Sequence, residues 1–269
     1  MPEWLLDGRP DGLMAPTGRG LQYGDGLFET IAFHAGRAAL WSRHMDRLMR
    51  GCVQLGLDRP DPDVLLAEAR SLLDGPAPQV IRITLTRAGE ARGYAPRGAS
   101  AVQRIVARRG WPAALQGQRE HGLRLVTSSF RPRASRAGPC KHLNRLDQVL
   151  IGREVDAAGV DEALVLDEQH RLLEALSGNL VVERAGRLLA PRPHPAAVAG
   201  VGLAWLRDAA ADALIELPLA RAALRDDDGL WVINAVRGPC PVRELDGRPR
   251  PIGARVRDWQ ARWQQEIEA

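Results

Sequence analysis

Strand-like runs in this chain arrive in adjacent pairs, and that limits the folds open to it. EALVLDEQHRLLEAL (162–176) and NLVVERAGRLLAP (179–191) each hold two short apolar runs divided by a polar turn, the pattern of a β-hairpin. GLFETIAFH (26–34) alternates as a half-buried strand does, and AGR turns it back toward AALW. QVIRITLTR (79–87), AVQRIVARR (101–109), LRLVTSSF (123–130) and GLWVINAV (229–236) are rich in β-branched residues and read as further strands. Helical spacing of apolar residues predicts helices over 41–57, with Ser42 as a cap, and over 62–74, 142–158 and 200–214. Gly and Pro with no sustained period mark 111–122 as a linker. The expectation is an α+β protein of two lobes, 1–110 and 123–269, with no βαβ run and no dinucleotide fingerprint. The GDG at 24–26 is a turn and not a phosphate loop.

Composition narrows the function. No apolar run reaches the roughly 18 residues of a membrane span, and the acidic, turn-rich MPEWLLDGRPDG has no signal-peptide pattern. Cys52, Cys140 and Cys240 are far apart and in no metal-ligand spacing, which fits a reducing cytoplasm and no metal site. The net charge of +4 and clusters such as RPRASR (131–136) raise nucleic-acid binding. Acidic residues are interspersed throughout, however, and aromatics at 4% leave little for bases to stack on. An anionic small molecule accounts for the same excess of charge.

One residue stands apart. Of the 37 basic residues only Lys141, in AGPCKHLNRLDQVL (137–150), is a lysine. Where positive charge alone matters, arginine serves. A guanidinium never gives up its proton at accessible pH, so it is neither an amine nucleophile nor a base. An ε-amine among other cations can do both and can form a Schiff base. Lys141 is therefore the candidate imine former, with chance survival as the alternative.

Five segments then occur in order: YGDGLFET (23–30), HMDRL (44–48), KHLNRLDQVL (141–150), LLEALSGNL (172–180) and AGVGL (199–203). Together they resemble the fold-type IV pyridoxal-phosphate enzymes, a family holding branched-chain and D-amino-acid aminotransferases and aminodeoxychorismate lyase. The resemblance spans almost the whole chain, residues 3 to 245. It implies a D-amino-acid aminotransferase-like fold, with an N-terminal α/β sandwich lobe, a C-terminal barrel-like lobe carrying the lysine, and the cofactor between them. Within the family, K-x-L-N-R-L-D/E-Q-V-L looks like the lyase, whereas D-amino-acid transaminases share only its K-x-L-N start.

The resemblance gives residues roles. Lys141 matches the lysine that holds pyridoxal 5′-phosphate and then moves protons. Glu174 matches the carboxylate at the pyridine nitrogen, where a charge-assisted hydrogen bond keeps that nitrogen protonated; without the family it reads as a solvated hairpin carboxylate. Arg47 matches the phosphate-binding arginine, although helical period does not choose it over Arg43 or Arg50. His44, one turn away, reads as packing support. The amides of Val201 and Gly202, opening a helix, match one phosphate loop, and Asn234 and Ala235 match a second; ordinary turn chemistry is the alternative for all four. Tyr23 matches a residue bordering the active site. Arg92, Arg97, Arg104 and Arg145 are unranked candidates for the substrate carboxylates.

Some positions depart from the family pattern. An S-D-R element appears as TGR (17–19), without its aspartate, and the helix-opening Val-Gly-Leu lacks the polar side chain that relatives carry. GYAPRGAS (93–100) has Arg97 but Ala99 where D-amino-acid transaminases carry the second member of an arginine–histidine pair. The reading implied is a homodimeric, cytoplasmic lyase that converts 4-amino-4-deoxychorismate to 4-aminobenzoate and pyruvate for folate synthesis. The rival is a fold-type IV aminotransferase that needs a 2-oxo acid.

Overall fold

A computed structural model of the protein describes residues 2–90 and 93–268. The chain divides into two compact units, Met1–Trp111 with Cys140–Asn144, and Pro112–Pro139 with Arg145–Ala269.

The first unit contains β1 (Trp4–Leu6), α1 (Arg19–Tyr23), β2 (Gly26–His34), β3 (Arg37–Ala38), α2 (Trp41–Leu55), α3 (Pro62–Ser71), β4 (Gln79–Arg87) and β5 (Val102–Arg109). Its strands form an antiparallel sheet in the order β1-β5-β4-β2-β3. Ala35 and Gly36 both take left-handed backbone (φ 49° and 79°) and make the tight β2–β3 turn. Alternate residues Leu27, Ile31, Phe33, Ile81, Ile83 and Leu85 join Met45, Leu48 and Cys52 of α2 and Leu65 and Ala69 of α3 in one buried cluster. Each such large side chain, once buried, contributes about 1.5–3 kcal/mol. Helix α2 starts without the expected cap. The Leu40 carbonyl accepts the first helical bond from His44 N–H (3.1 Å), so Leu40 is the N-cap residue and Ser42 lies inside the helix. Helix α3 has a side-chain cap, the Asp61 carboxylate accepting from Asp63 N–H at 2.8 Å.

The second unit contains α4 (Leu115–His121), β6 (Leu123–Thr127), α5 (Leu146–Ala158), β7 (Glu162–Leu166), β8 (Leu172–Ala175), β9 (Asn179–Arg184), β10 (Arg187–Pro191), α6 (Val201–Ala210), β11 (Leu214–Leu217), β12 (Gly229–Asn234), β13 (Gly238–Leu245), β14 (Arg248–Pro249) and α7 (Ala254–Glu268). Eight strands run β11-β10-β9-β12-β13-β6-β7-β8, with β14 beside β13, and the sheet curls as an open half-barrel. The hairpins expected at 162–176 and 179–191 are present as β7–β8 and β9–β10.

Four expectations need correction. β6 pairs parallel with β7 through α5, and β10 pairs parallel with β11 through α6, so the chain does contain βαβ crossovers. A strand as short as β11 is hidden in sequence by the neighbouring helical period. Residues 115–121 of the expected linker form α4, seated by buried Leu115. The helix expected from 142 begins at Leu146, because residues 141–143 spend their backbone bonds on β2. For the same reason Cys140–Asn144, and with it Lys141, groups with the first unit and not with the C-terminal one.

Candidate active site

In the first unit the lysine segment adds itself to the sheet. Phe28 N–H donates to the Lys141 carbonyl (2.9 Å), Leu143 N–H donates to the Gly26 carbonyl (3.0 Å), and Leu27 bridges His142. The Asn144 amide donates to the carbonyl of Gly24 (3.0 Å), whose left-handed φ of 61° ends α1 in the predicted turn. HLN thus fixes the backbone on either side of the amine-bearing residue. The half-buried Lys141 places Nζ 4.5 Å from the Phe28 ring centroid, and the Arg82 guanidinium lies 3.9 Å from the same centroid. Both cations thus lie against the face of one aromatic ring, which attracts them through its quadrupole.

Behind β2 lies a buried ionic hub absent from the sequence reading. Glu29, 1% exposed, accepts from Arg47 Nε (2.8 Å) and Nη2 (2.5 Å), and its Oε2 lies 2.7 Å from His44 Nδ1. Burial alone raises a carboxyl, but Arg47 and the His44 hydrogen bond hold Glu29 down at about 2. Burial lowers His44 from its ordinary 6.5, against the pull of Glu29, with the charges of Arg47 and Lys141 adding to the fall. His44 is therefore neutral and donates Nδ1–H to Glu29. Its Nε2, fully buried, has no hydrogen-bond partner among the described residues. Helical spacing places His44 and Arg47 on one face, where both meet Glu29. The signal available in sequence was a glutamate inside an otherwise apolar strand, since a fully buried carboxylate is nearly always paired.

The second unit gathers the remaining predicted residues. Glu174, on β8 and 7% exposed, is no solvated hairpin carboxylate. Its Oε2 accepts from Val198 N–H (2.9 Å), while the Asn179 amide donates to the Val198 carbonyl (3.0 Å). Val198 thus ties the carboxylate to the loop that opens α6. That helix has Gly200 as N-cap and no capping side chain, so the buried first-turn amides of Val201 and Gly202 lack intrahelical acceptors. A Cβ on Gly202 would fall 2.9 Å from the Asn234 carbonyl carbon, so only glycine lets the helix start lie against the turn that carries Ala235. Uncapped N–H groups at a helix start, beside a second turn and tied to a carboxylate, fit a phosphate and a protonated ring nitrogen.

The other candidates fare differently. Tyr23 packs at a tilt against Tyr94 (centroids 5.3 Å apart, planes at 49°), with the Arg19 guanidinium 5.1 Å from the Tyr23 ring centroid. Arg97 is exposed on a loop with left-handed backbone. Arg104 is spent on structure: Nη2 donates to Glu68 (2.8 Å), Nη1 lies 3.6 Å from Asp7, and the Glu68 hydrogen bond holds it more firmly protonated. Arg145 is the half-buried N-cap residue of α5. Arg92 lies outside the described residues. Among the described residues no group of three or more His, Cys, Asp or Glu could hold a metal ion, and no helix is long and apolar enough to cross a membrane.

The amino-transferase class IV family model matches residues 26–245. The chain belongs to that family, whose cofactor is pyridoxal 5′-phosphate. Among its relatives it is similar to a 4-amino-4-deoxychorismate lyase from Pseudomonas aeruginosa of known crystal structure (34% identical, TM-score 0.90), over 99% of this chain and 100% of that one. It is 27% identical over 253 residues to the aminodeoxychorismate lyase of Vibrio harveyi, covering 92% of this chain and 93% of the relative. It is also 30% identical over 241 residues to a putative branched-chain-amino-acid aminotransferase of Methanocaldococcus jannaschii, covering 85% of this chain and 81% of the relative.

Proposed function

We propose that this chain is an aminodeoxychorismate lyase, converting 4-amino-4-deoxychorismate to 4-aminobenzoate and pyruvate for folate synthesis. The observation that carries the reading is KHLNRLDQVL at 141–150, the lyase form of the lysine segment. Likeness to the Pseudomonas aeruginosa lyase across nearly the full chain supports it.

When bound, pyridoxal phosphate supplies an electron sink conjugated to the amine-bearing carbon of the substrate. Lys141 would hold the cofactor and, as a free amine, would take the proton from that carbon through Nζ. Loss of that proton drives out the neighbouring enolpyruvyl ether oxygen. The ring becomes aromatic, and the departing enolpyruvate gains one proton at its methylene to become pyruvate. No amino acceptor enters this balance. Glu174 would accept a hydrogen bond from the protonated ring nitrogen. Arg47, the Val201 and Gly202 amides, Asn234 and Ala235 would hold the phosphate. Tyr23 would border the substrate, and Arg92, Arg97 and Arg145 are candidates for its carboxylates.

Likeness to the Methanocaldococcus jannaschii protein favours a second reading, a transaminase with the same lysine, glutamate and arginine. Release of 4-aminobenzoate and pyruvate by purified enzyme without any 2-oxo acid supports the lyase; strict dependence on an oxo acid supports the transaminase. We also carry forward a homodimer. Leu146, Val149 and Leu150 of α5 are exposed at one-turn spacing, an apolar stripe suited to a second copy. Light scattering at working concentration, giving the mass of one chain only, would refute it.

A further inference from the structure

We propose that Arg119, Glu162, Arg237 and the Asn234 side chain are positioning residues for the phosphate cup. They hold the 234–237 turn so that the Ala235 N–H is presented to the anion, and their own side chains are committed to the protein. This rests on the reading of 201–202 and 234–235 as the cup, and it assigns the basic residues beside the cup to the turn and not to the phosphate.

Asn234 Oδ1 accepts from Val236 N–H (3.0 Å) and from Arg237 N–H (2.7 Å), while its Nδ2 donates to the Ser177 carbonyl (2.9 Å). Arg119 Nε donates to the Arg237 carbonyl (2.7 Å) and Nη2 to the Val236 carbonyl (3.3 Å). Arg237 Nη1 donates to Glu162 Oε1 (2.9 Å). Glu162, 1% exposed, also accepts from Ser177 N–H (3.1 Å) and from the Ser177 hydroxyl. Ser177 therefore closes the network, binding Glu162 through its N–H and Oγ–H and Asn234 through its carbonyl. Among the described residues, the N–H of Ala235 donates to no protein acceptor. Gly202 lies against the Asn234 backbone, which sets that N–H beside the uncapped start of α6. Donors held in place beforehand bind an anion without ordering cost at the moment of binding.

Arg119 comes from α4, inside the stretch expected to be a linker, so that helix has a function at the cup. A hydrophobic linker helix of the same length would pack on Leu115 equally well and leave the Val236 and Arg237 carbonyls without a donor.

The test compares pyridoxal 5′-phosphate with pyridoxal, which lacks only the phosphate, by visible-absorbance titration of the apoenzyme. Arg119→Met and Arg237→Met keep aliphatic bulk and remove the donors. The positioning role predicts that each raises the Kd for pyridoxal phosphate roughly tenfold, the weight of a charge-assisted hydrogen bond, and leaves the Kd for pyridoxal unchanged. Equal weakening of both ligands, or no change in either by folded variants, would overturn it. If Arg237→Met does not fold, Arg119→Lys keeps the charge, loses the two-carbonyl fork and carries the same expectation. If the wild-type apoenzyme binds the two ligands equally, the phosphate-cup reading itself is wrong, a result distinct from failure of the variants.

Discussion

Glu29→Gln isolates the ionic hub behind the lysine segment. The native carboxyl titrates at about 2 against an ordinary value of 4.5, so its charged form is favoured by folding. The depressed value gives a stabilisation fully present above pH 4.5 that fades as pH falls toward 2. A difference of about 2.5 units corresponds to about 3 kcal/mol at pH 7, in line with the roughly 3–5 kcal/mol cost of removing one partner of a buried pair. Glutamine keeps the shape and can still accept from His44 Nδ1–H, but it leaves Arg47 without a counter-charge. Urea denaturation of the apoenzyme at pH 7 should show the variant less stable by about this amount. At pH 3 the gap should shrink to less than half, because the unfolded carboxyl has taken up its proton while the native one still resists it. A gap of equal size at both pH values, or none at pH 7, would refute the assignment of Glu29 as an ionised hub.

Other outcomes follow from the same geometry. Glu174→Gln should fold normally and lose on the order of a hundredfold in kcat, the scale of removing one preorganised electrostatic contact; steady-state turnover decides it. Gly202→Ala puts a methyl 2.9 Å from the Asn234 backbone, so cofactor should be lost on gel filtration that the wild type survives, as read by absorbance of the eluted protein. Burial raises the Cys52 thiol to about 11 and the Cys240 thiol to about 12. Alkylation of the native protein at pH 8, read by peptide mass mapping, should label half-buried Cys140 first and leave the other two intact.

Much of the molecule was legible because its strands are long where they matter. β2 and β4 occupy the residues that alternation assigns to them, 26–34 and 79–87, since each lies central in a sheet with a buried face. Two short elements outside the hairpins were not legible. β11 has four residues and follows a helix directly, and the 115–121 helix carries Gly117 and follows Pro112. The start of α5 was misplaced because helical period cannot see that 141–143 already pair with β2. Among the candidate residues, chemistry singled out Lys141, and the motifs pointed to Glu174 and Arg47. The supporting partners did not appear: Glu29, Glu162, Arg119 and Arg237 act through contacts at sequence separations of 18, 75, 118 and 75 residues. No local pattern encodes such pairings, although a carboxylate in a fully buried strand such as β7 hints that a partner exists.

The most direct measurement is extended turnover of 4-amino-4-deoxychorismate by cofactor-loaded enzyme with no 2-oxo acid present, beside Lys141→Arg. The account predicts many equivalents of 4-aminobenzoate and pyruvate per active site, formed one to one, and none from the variant, which keeps the charge but has no amine to give or take a proton. Arrest after one equivalent per site until an oxo acid is added, or sustained turnover by Lys141→Arg, would contradict it.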